Sequence, residues 1–107
     1  MSNYSWISKK LRAKSIYYSQ YELAWKITHA DDFIDEALLN QVIVLGGDVL
    51  DSNLKYTRDN WYYEPNKQLT VKDNSVQSCN HMKDYINKYT ANNGNDFYVI
   101  VICVTVI

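Results

Sequence analysis

Near the end of the chain, Phe97 to Ile107 is almost entirely Val, Ile and aromatic, with Thr105 the one clear break and no alternation with polar residues. A strand that shows water no polar face has to be covered on both sides, so the pattern predicts a strand in the middle of a sheet. Its 11 residues are far fewer than the ~20 of a bilayer span, which rules out a membrane anchor. The chain has 107 residues, enough for one hydrophobic core and too few for two. Residues 1–107 are therefore read as a single domain, with 1–20 as an N-terminal extension of ambiguous structure.

The segments before this run alternate between the two periods. Tyr21, Leu23, Trp25 and Ile27 alternate with Glu22, Ala24 and Lys26, the period of a strand with one buried face. Thr28 is a candidate N-cap for a short acidic helix to about Asn40, in which Phe33, Ile34, Ala37 and Leu38 recur at helical spacing. Val42–Leu45 and Val49-Leu50 read as one strand kinked at Gly46-Gly47, and Leu54–Tyr63 as its hairpin partner across the turn-forming Asp51-Ser52-Asn53. After Pro65-Asn66, a cap at Asp73, Asn74 or Ser75 opens a second amphipathic helix through Val76, Cys79, Met82, Ile86 and Tyr89, closed by Asn93-Gly94. The expected fold class is α+β: a mostly antiparallel sheet of about four strands in β-α-β-β-α-β order, with two helices packed on it. The continuously apolar last strand further implies that Trp and Tyr side chains shield the other face.

Composition narrows the function. With 47% hydrophobic and 21% charged residues, 3 Gly and 1 Pro, the chain is an ordinary globular one. The start, Met1 to Ala13, has Lys9, Lys10 and Arg12 but no apolar run behind them, so it does not read as a secretory signal and a cytoplasmic location is expected. Cys79 and Cys103 sit in apolar patterns without CxxC spacing, which suits buried reduced thiols. His29 and His81 have no partner spaced for catalysis; a capping role for the first and a surface position for the second are the expectations.

The net charge of −1 gives no global attraction to nucleic acid or anionic membranes, but its distribution is uneven. Residues 1–27 carry five basic groups and one acidic (+4), residues 28–64 two basic and eight acidic (−6), and residues 65–107 four basic and three acidic (+1). Ten Tyr and three Trp add an aromatic load suited to core edges and recognition surfaces. The acidic middle is either a solvated face or a surface that presents carboxylates to a basic partner. Leu45-Gly46-Gly47-Asp48-Val49 lacks a GxGxxG or GxxxxGK[ST] pattern and is not followed by a helix, so it is no phosphate-binding loop. Asp48, Asp51 and Asp59 around Mg²⁺ would make a small phosphoester hydrolase, although no general base stands beside them. A third reading stacks single-stranded nucleic acid on Trp61, Tyr62 and Tyr63 beside the Lys9, Lys10, Arg12 and Lys14 arm, against which the acidic middle argues.

The segment Val44-Leu45-Gly46-Gly47-Asp48-Val49, followed by Leu54-Lys55-Tyr56-Thr57-Arg58-Asp59-Asn60-Trp61-Tyr62, resembles the immunity protein 40 family of bacterial polymorphic toxin systems. A looser likeness extends over residues 21–107. The resemblance implies a small cytosolic protein, without enzymatic activity or cofactor, that neutralises a cognate toxin C-terminal domain. Such toxins are delivered between neighbouring cells by contact-dependent inhibition and are often nucleases. Against the basic cleft of a ribonuclease, Asp31, Asp32, Asp35, Glu36, Asp48, Asp51, Asp59 and Glu64 would stand in for phosphates, with Trp61, Tyr62 and Tyr63 as aromatic anchors. No direct contact with nucleic acid or membrane is expected. The motif has an equally simple structural reading: a bulge at Gly46-Gly47, Asp48 and Asp59 bonded to turn backbone, and Trp61 in the core.

Overall fold

The structure, a computed structural model, describes residues 2–106; Met1 and Ile107, the ends of two of the segments above, lie outside the described residues. The element order is α1 (Lys9–Ala13), β1 (Ser15–Ser19), β2 (Glu22–Lys26), a 3-10 turn (Ile27–His29), α2 (Ala30–Leu39), β3 (Ile43–Leu50), β4 (Tyr56–Tyr62), α3 (Val71–Asn93) and β5 (Tyr98–Val104). The strands form one antiparallel sheet in the order β1-β2-β5-β3-β4. β5 is central, as its unbroken apolar pattern requires. β2 and β3, linked through α2, both run against it, which makes a split β-α-β unit.

The sheet has five strands rather than about four, and the stretch 1–20 accounts for the difference. β1 pairs with β2, and Ser2–Tyr4 lies along the edge of β5 beyond the end of β2: Asn3 N–H donates to Cys103 O at 3.0 Å and the Tyr4 hydroxyl to Val101 O at 2.6 Å. Two helix starts also differ from the pattern. α2 is entered through the 3-10 turn, so Thr28 is not its N-cap, and His29 at that position makes no capping bond with its side chain. α3 is capped by Thr70, whose hydroxyl accepts from Asp73 N–H at 3.0 Å. Asn74 is fully buried and bonds the preceding loop instead, accepting from Asn66 N–H at 2.8 Å and donating to Asn66 O at 2.9 Å. Val76 points outward, because the buried stripe of α3 runs through the small Ser75 and Ser78 to Cys79, Met82, Ile86 and Tyr89. Ser78 allows close approach to β3, and its Oγ accepts from Val44 N–H at 2.9 Å beside the register shift between Val44 and Gly46.

One face of the sheet, formed by Leu23, Trp25, Val44, Val49, Trp61, Val99, Val101 and Cys103, packs against Phe33, Ala37, Met82 and Ile86 of α2 and α3. Trp25 lies edge-on to Phe33 at 4.9 Å and donates its indole N–H to Leu11 O at 3.0 Å, tying α1 to this core. Cys79 and Cys103 are both free and buried, and burial pushes their thiols up to about 11 and about 12. The second face has a smaller core of Ala24, Leu50 and Ile100 under Ile16, Tyr18, Leu54 and Tyr98. The sheet coils until Tyr18 on one edge strand meets Tyr56 on the other, ring centroids 5.5 Å apart. Tyrosine and aliphatic side chains shield this face, whereas Trp25 and Trp61 both belong to the helix side.

Candidate functional site

The acidic helix faces the basic arm. Glu36 accepts from Ser8 N–H at 2.9 Å and from the Ser8 hydroxyl at 2.6 Å, and Lys14 donates to Asp32 at 2.7 Å. That Lys14 hydrogen bond holds the Asp32 carboxyl below the usual carboxylate range. Lys10 and Lys14 share one small hollow with Asp32, Asp35 and Glu36, so much of the local charge is compensated within the chain. His29 Nδ1 lies 3.7 Å from Asp32. Asp31 and Asp35 are the exposed carboxylates of α2 without a salt bridge among the described residues.

The remaining sites suggested by the sequence fall on different surfaces. Asp51 accepts from Asn53 N–H at 2.8 Å and Lys55 N–H at 3.0 Å, an Asx-type turn closing the β3–β4 hairpin. Asp59 accepts from the Tyr89 hydroxyl at 2.9 Å on the helix side, and Glu64 is exposed beyond the end of β4. Trp61 is only 5% exposed, stacked on Tyr85 at 5.2 Å, and Tyr63 donates to Asn74 Oδ1 at 2.8 Å. Asp48, Asp51 and Asp59 therefore do not converge. Among the described residues no three His, Cys, Asp or Glu side chains are placed to hold a metal ion. The basic α1 adjoins β1 while Trp61, Tyr62 and Tyr63 lie at the opposite edge of the sheet, so the arm and the rings form no common groove.

Asp48 and Tyr62 are different: they lie on the face that no helix covers. The register places Ala24, Ile100, Asp48 and Asn60 side by side across four strands, with Ile102, Gly46 and Tyr62 in the next row. Asp48 is half-buried and makes no side-chain hydrogen bond or ion pair among the described residues; desolvation, then the charge of Glu22, raise its pKa. Tyr62 is 68% exposed and Tyr56 53%. The Tyr56 hydroxyl, pushed up to about 12 by desolvation and by Tyr18, Glu22 and Asp48, stays a neutral donor. Asp48 and Glu22 thus sit on a coiled, tyrosine-lined concavity. Glu22, Tyr18 and Tyr56 were not singled out by the sequence; the parity of β1 and β4, which sets Tyr18, Tyr56 and Tyr62 on one face, is the signal that identifies them.

No helix among the described residues is long and apolar enough to cross a membrane. No curated protein matches the sequence, and no solved structure matches the fold. The family model for immunity protein 40 matches residues 10–103, which takes in α1 and β1 as well as the motif-bearing β3–β4 hairpin. By that match over nearly its whole length, the chain belongs to the immunity protein 40 family.

Proposed function

We propose that this protein binds and neutralises a cognate toxin domain in the cytoplasm, laying the concave face of its sheet over the basic active-site cleft of a nuclease, with a ribonuclease favoured. The observation that carries the reading is a partly desolvated carboxylate without a partner, Asp48, on an uncovered face rimmed by exposed tyrosines. Such a group costs folding free energy and is compensated when a cation approaches. A cleft that holds a phosphodiester offers those cations, and carboxylates take the place of phosphates. Tyr56 and Tyr62 supply ring area at low entropic cost, the role aromatic anchors play at interface centres. Asp31 and Asp35 on α2 form a second acidic area that speeds encounter.

The test is co-expression with the product of the gene directly upstream, as the source of a cognate toxin domain. Growth should be restored, and the two proteins should co-purify as a complex that no longer cleaves RNA. Absence of protection, or turnover of a phosphoester by the purified chain with loss on Asp48→Asn, would contradict it.

A further inference from the structure

The uncovered face contains a hollow of about 350 Å³ between Gly46, Gly47, Asp48, Asn60, Tyr62 and Ile102. Its floor is bare at Gly46, the glycine of the pair that faces this side, whereas Gly47 pairs with Val101 and faces the helix-side core. A Cβ on Gly46, whose φ is +151°, would lie 2.3 Å from the Trp61 carbonyl oxygen, and one on Gly47 would lie 2.3 Å from the Trp61 ring. The strand is thereby stripped of side chains between Ile102 on one neighbour and Tyr62 on the other. The walls are largely apolar, Asp48 is the one charged residue of the lining, and the hollow lies at the small end of the range for ligand pockets. That combination suits one long side chain with an aliphatic stem and a cationic head.

We infer that the hollow is a socket for a single arginine of the toxin domain, its stem over Gly46 and Ile102, its guanidinium on Asp48 and its plane against the Tyr62 ring. Arginine fits better than lysine because a planar, weakly hydrated cation can stack on tyrosine and offer paired N–H donors to a carboxylate at once. Asn60, opposite Asp48 in the register, is exposed and lines the same hollow. This inference rests on the toxin-binding reading and names the contact on which it turns.

Calorimetric titration with the toxin domain identified by that co-expression tests it. Asp48→Asn should weaken binding at least about tenfold, since removing one partner of a desolvated charge pair strands the other. Asn60→Lys, which supplies an internal cation to Asp48, should do the same, while Asn60→Gln stays within about twofold. Both losses should come without a fall in melting temperature. Full-strength binding by Asp48→Asn and Asn60→Lys would overturn the socket and leave the toxin-binding reading standing. If the unmodified chain does not bind the domain at all, that reading fails, and the socket is judged by NMR titration with N-acetyl-arginine methylamide. Displaced amide signals at Gly46, Gly47 and Asn60 that vanish in Asp48→Asn would support it. No displacement, or equal displacement by the citrulline or lysine analogue, would overturn it.

Discussion

Trp61 is the residue whose role sequence alone leaves open between core and contact, and its surroundings decide for the core. Its ring stacks on Tyr85 and fills the space a side chain on Gly47 would need, so Trp61→Ala opens a cavity and should cost ~3 to 5 kcal/mol. A melting curve reads this directly; an unchanged midpoint with lost toxin affinity would assign the ring to the interface instead. Asp48 gives the opposite expectation. Its folded-state pKa is raised above the ordinary 3.8, so its contribution to stability is whole below that value and lost as pH rises through the raised one. At pH 7 the charged form therefore opposes folding. Asp48→Asn should leave the melting temperature equal or higher at pH 7, with the advantage shrinking toward pH 3; a lower midpoint at pH 7 would show that the carboxylate has a structural partner. Neither role is legible from residue type. An LGGDV segment next to a buried Trp looks the same whether the Asp bonds a turn or faces solvent, and it is Asp51 that takes the turn.

At the scale of elements, legibility followed the strength of the periodic signal. β5 is apolar throughout and lies at the centre of the sheet, and the Gly46-Gly47 irregularity in β3 has a direct structural counterpart. β2 is a strand as read, but Ala24 is buried in the second core, so both faces are covered there, and Tyr21 is exposed before the strand begins. α1 and β1 have five residues each, too few for a period to emerge, and they are held by tertiary contacts such as Ser8 to Glu36 and the β1–β2 pairing. The start of α3 is obscured because its buried face begins with polar residues: Asn74 and Ser78 bond backbone carbonyls, and the buried Ser75 hydroxyl has no hydrogen-bond partner among the described residues. The same contacts separate two kinds of acid on α2. Reversing Asp31 and Asp35 to Lys should slow association with the toxin domain, most visibly at low salt, without changing the melting temperature. Reversing Glu36 should release α1, seen as faster amide exchange over Lys9–Ala13. Equal on-rates for the Asp31 and Asp35 reversal would remove α2 from the encounter surface.

For the whole molecule, the charge split of +4, −6 and +1 along the chain folds into something less polar than it reads. The basic arm lies against the acidic helix, while Asp48, a half-buried carboxylate without a partner among the described residues, lies on the far side of the sheet. The family and the fold class could be read from the β3–β4 motif and the order of periods. The face proposed to bind the toxin could not, because it depends on which side α2 and α3 choose and on the coil that brings Tyr18 to Tyr56. Hydrogen–deuterium exchange of the chain alone and bound to the toxin domain addresses this most directly. Binding through the concave face should slow exchange in β1, β4 and the hairpin around Gly46–Tyr62 while leaving α2 and α3 unchanged. Slowing confined to α2 and α3, with β4 exchanging as in the free protein, would place the toxin on the helices and contradict the assignment.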